Sequence, residues 1–260
     1  GIGKSTFTAL TSGTYNTSFG YNALPAVTTG VNNSALGKDV LKTNVTGSYN
    51  VAIGTGCLET TTVNGHTAVG YKALQLNQTG AENVGIGWKA LDANTTGDNN
   101  TALGFDSLGA NTTADNNTAV GHNSLLANTT GHSNVSVGKD ALKACTTSIE
   151  NTAVGFYAMA SATTGTGQNT AMGKYALNAC TTGVSNTAIG AHTLNACTTG
   201  GQNQAFGNHA LVALTTGTHN TAVGMYAADS ITTASYNTAV GSGALDANTT
   251  AASNTAVGYT

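Results

Sequence analysis

The chain opens on Gly1-Ile2-Gly3-Lys4-Ser5-Thr6, which ends like a phosphate-binding loop. In such a loop, backbone N–H groups cradle the phosphates, the lysine reaches them and the hydroxyl holds a magnesium ion. The full motif needs another glycine five residues before Gly3. Gly-Lys also recurs at Gly37-Lys38, Gly138-Lys139 and Gly173-Lys174, so a repeat explains the pair better than a nucleotide site does.

The remaining reactive residues are sparse. Cys57, Cys145, Cys180 and Cys197 contain no Cys-x-x-Cys, the usual spacing of a zinc site. Cys180 and Cys197 hold the same position in successive turns of that repeat, which puts them within disulfide reach. The competing reading is a small buried thiol used as an apolar filler. His192 and His209 also share a repeat position, but two imidazoles without a third ligand make a weak metal site. The eleven carboxylates are scattered, with no paired acid and base and no Ser-His-Asp grouping. No catalytic residue, metal site or cofactor is expected.

These residues hang on a repeat that runs through the whole chain. Its anchors are Gly3, Gly20, Gly37, Gly54, Gly70, Gly87, Gly104, Gly121, Gly138, Gly155, Gly173, Gly190, Gly207, Gly224, Gly241 and Gly258. Thirteen of the fifteen intervals share one length, that from Gly87 to Gly104, so the chain is built on a 17-residue unit. One interval is shorter by a single residue (Gly54 to Gly70). Another is longer by one (Gly155 to Gly173, with the extra residue near Gly165-Thr166-Gly167). With positions counted from the anchor, −1 is always large and apolar, as in Phe19, Leu36 and Ile53. Position −2 is always Gly, Ser or Ala, and +4 is Leu in twelve of fifteen rows. Position +7 holds Asn94, Asn111 and Asn128, then Cys145, Cys180 and Cys197, then Leu214 and Ile231. Adjacent threonines such as Thr95-Thr96 follow.

A unit this short, with fixed glycines and β-branched residues, has no room for a helix pair. Two short strands per turn are expected, stacked at about 4.8 Å, with each anchor glycine at a positive φ or a tight backbone approach. The fold class is therefore an all-β, parallel β-solenoid of about fifteen 17-residue turns, forming one continuous domain over residues 1–260. Positions −1, +4 and +7 are expected to face inward, the last as a stacked amide ladder. Strand side chains alternate, so −2 should point outward. Its restriction to small residues then implies a second packed surface, and hence several chains side by side. Position +1 varies widely, as an exposed corner does. Tyr21, Tyr71, Trp88, Phe105 and Phe156 sit there as candidate surface-binding residues for a glycan or receptor, or else as a structural stack.

Charged residues make up 7% of the chain and the net charge is −3, which offers nothing to nucleic acid or an anionic membrane. At 40% hydrophobic residues the chain has apolar surface to bury, so disorder is not expected. No apolar run is long enough to cross a membrane. Both ends fall inside a repeat, which suggests a piece of a longer molecule. Asn-x-Thr sequons such as Asn44-Val45-Thr46 follow from the repeat.

The segments Asn50-Val51-Ala52-Ile53-Gly54, Asn83-Val84-Gly85-Ile86-Gly87 and Asn151-Thr152-Ala153-Val154-Gly155 resemble the head repeat of trimeric autotransporter adhesins. The longer Asn-Thr-Ala-Val-Gly form is similar to repeats in phage tail fibres. The resemblance covers the whole chain, although the adhesin unit is shorter than the one found here. It implies a left-handed β-roll in a homotrimer, an extracellular setting on a virion or bacterial surface, and a structural or adhesive role. It carries over no functional residue. An ice-binding solenoid is the alternative, tested by whether threonines two apart line one face. The paired threonines are adjacent, so by strand alternation only one of each pair should face out. Position −3 admits Val51, Val84, Val135 and Gln204. A polysaccharide-cleaving solenoid would need long loops that break the repeat, and none is present.

Overall fold

The computed structural model describes residues 1–165 and 167–260. It is an all-β parallel solenoid in which each coil takes up one repeat unit, and among the described residues there is no helix. The chain divides into two compact units, Gly1–Thr130 and Gly131–Thr260. Thr166, in the longest row, lies outside the described residues.

Unit 1 carries seven strands: β1 (Thr17–Phe19), β2 (Ser34–Leu36), β3 (Val51–Ile53), β4 (Thr67–Val69), β5 (Val84–Ile86), β6 (Thr101–Leu103) and β7 (Thr118–Val120). Each pairs in parallel with the next, position for position, as in Thr101↔Thr118 and Leu103↔Val120. The short row is absorbed without a slip, because Val51 still pairs with Thr67 and Ile53 with Val69. Unit 2 continues the pattern with β8 (Val135–Val137), β9 (Thr152–Val154), β10 (Thr170–Met172), β11 (Thr187–Ile189), β12 (Gln204–Phe206), β13 (Thr221–Val223), β14 (Thr238–Val240) and β15 (Thr255–Val257).

There is one three-residue strand per coil, not the two expected. The rest of the coil is turn, yet it is also hydrogen-bonded coil to coil. Lys89 N–H donates back to Tyr71 C=O at 2.9 Å, while Leu91 N–H donates forward to Ser107 C=O at 3.1 Å. Left-handed backbone at positions +2 and +4 turns successive amides in opposite directions; Lys89 has φ 54° and Leu91 φ 55°. Such residues cost on the order of 1 kcal/mol each. They persist because each places an amide on a neighbouring coil's carbonyl.

The anchor glycine meets both expectations. Gly104 has φ +142°, and a Cβ on it would lie 2.6 Å from the carbonyl carbon of Gly121 in the next coil. Gly104 thus lies against the next coil at a point where no side chain fits.

The interior corrects the sequence reading at two positions. Position −2 faces in: Ala52, Ala102 and Ala119 are fully buried. The limit on its size is the coil's own cross-section, not a neighbouring chain. A Cβ added to Gly85 would meet Leu74 Cγ at 3.1 Å, and Ser18 fits only by donating its hydroxyl to Ala23 C=O at 2.8 Å. Position −1, the large apolar column, faces out; Phe19 is 52% exposed and Leu103 45%. The core is instead built from the buried leucines at +4, such as Leu74, Leu91 and Leu108, with small residues at +3 and −2 and the column at +7. The argument that small outward residues require side-by-side chains falls with this reversal.

Replacing Gly104 with Ala should cost roughly 3 kcal/mol or more, since both the backbone conformation and the contact with Gly121 oppose a methyl group. A urea midpoint measured against an exposed control, Thr113→Ala, checks this.

Candidate functional site

The amino-terminal Gly-Lys-Ser-Thr string builds no phosphate site. Gly3 is an ordinary anchor at φ +133°, Lys4 C=O accepts the Asn22 N–H of the next coil at 2.9 Å, and no helix follows.

The corner at position +1 is where side chains come together. In unit 1, Tyr71, Trp88, Phe105 and His122 form one stack, with centroid separations of 6.1, 4.6 and 4.9 Å and planes within 21°. Lys89 Nζ lies 4.9 Å from the Trp88 ring centroid and Lys72 Nζ 5.5 Å from that of Tyr71. Tyr21 stands apart, with Lys38 and Thr55 at the corner between it and Tyr71. In unit 2, Phe156 packs edge-on to Tyr157 and Tyr175. A saccharide bound by stacking needs an open ring face. The faces of Trp88 and Phe105 are occupied by their neighbours, so what they offer the solvent is edges.

Position +2 builds a second ladder in unit 2. His192 stacks on His209 at 5.1 Å, His209 on Tyr226 at 5.1 Å, and Tyr175 lies 5.3 Å from His192. His209 Nδ1 is 2.5 Å from Asn208 Oδ1. Partial burial, followed by the neighbouring His209 and Lys174, moves His192 below the ordinary imidazole value. Among the described residues, no three His, Cys, Asp or Glu side chains are grouped to hold a metal ion.

The amide ladders are the most ordered polar feature. At +7, Asn94 Nδ2 donates to Asn77 Oδ1 at 2.7 Å, and Asn111 Nδ2 to Asn94 Oδ1 at 2.9 Å, as the sequence predicts. A second ladder runs at −4, outside the sequence reading. Asn100 N–H donates to Asn83 Oδ1 at 2.8 Å while its Nδ2 donates to Ala114 C=O at 2.7 Å. Asn203 repeats the pattern in unit 2, on Asn186 Oδ1 at 3.0 Å and Gly217 C=O at 2.9 Å. Its signal was available, since −4 is Asn in every row except that of His66.

The cysteines are structural. All four are buried and free, so Cys180 and Cys197 are apolar fillers of the +7 column, not a disulfide. Burial raises the thiols to about 11 at Cys57, Cys145 and Cys180; it raises Cys197 to about 12, with Cys180 adding to the effect. Of the paired threonines, Thr112 is half-buried and donates its hydroxyl to Thr129 C=O at 3.1 Å, whereas Thr113 is exposed. They lie in a turn, so strand alternation does not separate them.

An open hollow of about 560 Å³ borders the longest row, lined by Ile149, Glu150, Gln168, Val184 and Ser185 among others. Among the described residues that line it, Glu150 is the one carboxylate and accepts from Gln168 Nε2 at 3.1 Å, and there is no histidine or cysteine. No helix among the described residues is long and apolar enough to cross a membrane. Compared with family models, curated proteins and solved structures, the chain matches none of them.

The thiols should be silent to a disulfide reagent at pH 8 in the native state and release four equivalents once guanidinium unfolds the chain. Fast labelling of any one in native buffer would contradict this burial.

Proposed function

We propose that the chain is a structural and adhesive segment of an extracellular fibre, on a virion or a bacterial surface, working as a homotrimer that spaces and presents a binding surface. The observation that carries this reading is the outward face of the strands. In every row position −1 is a large apolar side chain, and position −3 is Thr, Ser, Val or Gln, never charged. Within unit 2, Met172, Ile189, Phe206 and Val223 form a ridge of exposed apolar groups, one per coil. A partner for such a ridge must be uncharged and repeat at the same spacing over many coils. A second and third copy of this chain meet both conditions.

The magnitudes are adequate. With roughly 60 Å² open on each large side chain, covering one unit's ridge at about 25 cal/mol/Å² amounts to on the order of 10 kcal/mol. Association costs about 4–15 kcal/mol, so the ridge of one unit is of the size that the cost demands. The corner aromatics Tyr21, Tyr71, Trp88, Phe105 and Phe156 lie off the ridge as candidate contacts for a receptor or glycan, Trp88 and Phe105 by their edges alone.

The mass in solution tests the reading. Sedimentation should give three times the 25.7 kDa of one chain, and Val154→Lys with Val223→Lys should release monomers. Trp88→Ala, off the ridge, should leave the mass unchanged. A wild-type monomer at micromolar concentration would sink it.

The second reading is an ice-binding face, favoured by the outward threonines at −3, which stand two residues from −1 as that role requires. Position −1 is never threonine, however, and ranges from Val to Phe, so the face is uneven. No thermal hysteresis is expected at millimolar protein; clear activity would reverse the ranking of the two readings.

A further inference from the structure

His66 occupies the −4 ladder in place of asparagine and copies its bonding. Its backbone N–H donates to Asn50 Oδ1 at 3.0 Å, as an asparagine there would. Its ring Nδ1 stands in for the amide oxygen, accepting the Asn83 N–H at 3.2 Å. Its Nε2 reaches toward Gly80 C=O, the counterpart of the carbonyl that the ladder's Nδ2 groups use elsewhere. Asn77 Nδ2 sits 3.2 Å from the same Nε2 and donates to Gly80 C=O at 2.9 Å. Nδ1 can accept from Asn83 only without a proton, which places the neutral ring's proton on Nε2 and leaves the Asn77 Nδ2 beside it a neighbour and not its donor.

The same coil is weak in a second way. It is the shortest row, and Thr61 replaces asparagine in the +7 ladder. Asn44 Oδ1, one coil earlier, is left buried without a donor. Both ladders thus lose their asparagine at one level, although Thr61 Oγ1 still accepts from Asn77 Nδ2 at 3.4 Å.

We propose that this level is an acid-sensitive break point of unit 1, where protonation of the buried His66 ring parts the coils on either side. A second ring proton sits on Nδ1 and faces the Asn83 N–H, so an acceptor becomes a donor pointed at a donor. None of the ring's hydrogen-bond partners is a carboxylate. Asp98 lies close enough to attract the charge, but its Oδ1 already accepts the Ala81 N–H at 2.6 Å. Glu82, beside Gly65, is exposed, and Asn50 and Thr61 are neutral.

Burial lowers the His66 ring from 6.5 to about 4. Above pH 6.5 the folded and opened states are both neutral and the level is fully stable. As the pH falls from 6.5 toward 4 only the opened state binds the proton, so stability is lost across that window, and below about 4 no more is lost. The opening equilibrium should rise about tenfold per pH unit, roughly three-hundredfold across the window. This inference stands on the fold alone, independent of the fibre reading.

Hydrogen exchange of the whole chain between pH 7 and 4.5, corrected for intrinsic rates, tests it. Residues 50–54 and 66–83 should open with that pH dependence, and His66→Asn should flatten it. A flat wild-type response, or the same slope in both proteins, overturns the proposal. Should His66→Asn fail to fold, imidazole NMR of the wild type decides. His66 should stay neutral as the pH falls from 6.5 to 4.5. Titration of His66 near 6.5 with the coils intact overturns the proposal equally.

Discussion

A polar group inside a solenoid finds most of its partners on the coil before it or the coil after it, and the rest within its own turn. The N–H and C=O groups that face a neighbouring coil must therefore find their partners about one period away. The structure meets this demand by translation. The three-residue strands do so through the parallel ladder, the turns through alternating left-handed residues, and the interior through asparagines that stand in files. The anchor glycines follow from the same demand, because coils close enough to bond everywhere leave no space for a methyl group where Gly104 meets Gly121.

Much of this was legible in the residues. The period, the stacked glycines, the inward leucines and the amide file at +7 follow from like residues recurring at fixed spacing. The sign of the strand faces does not. Alternation says that −1 and −2 point opposite ways, but which one points in depends on how wide the coil is. A strand of three residues encloses a cross-section filled by Leu91 and its neighbours, with room left for Ala102 and none for Leu103. Left-handed backbone at Lys89 and Leu91 was also beyond reach, because neither residue type signals it. With that backbone, adjacent positions +3 and +4 both point inward, which strand parity forbids.

The candidate site was legible as positions and not as geometry. Tyr71, Trp88 and Phe105 do meet, but face to face, so the property that made them attractive as ligand contacts is spent on one another. Tyr21 and Phe156 fall outside that stack. The cysteines show the opposite case, in which a reactive residue type is explained by its file. A thiol at +7 stands among Asn, Ala, Leu and Ile, and the interior accepts any of them at that spacing. The fibre reading therefore rests on the uncharged outer ridge, a feature that emerged when the expected inside and outside changed places.

The amide files have a direction. In the −4 file each side-chain oxygen looks toward the carboxyl end of the chain and receives the amide of the coil that follows, from Asn83 to Asn100 and again from Asn186 to Asn203. Along this file the two faces of a coil are thus chemically unlike, one presenting the amide oxygen and the other the backbone N–H that meets it. Whole coils can be duplicated or deleted by genetic accident and the seam still closes, since each face meets the counterpart it had before. A coil inserted in the reverse sense would bring acceptor against acceptor, so length in this architecture is free to drift only in whole steps and only head to tail.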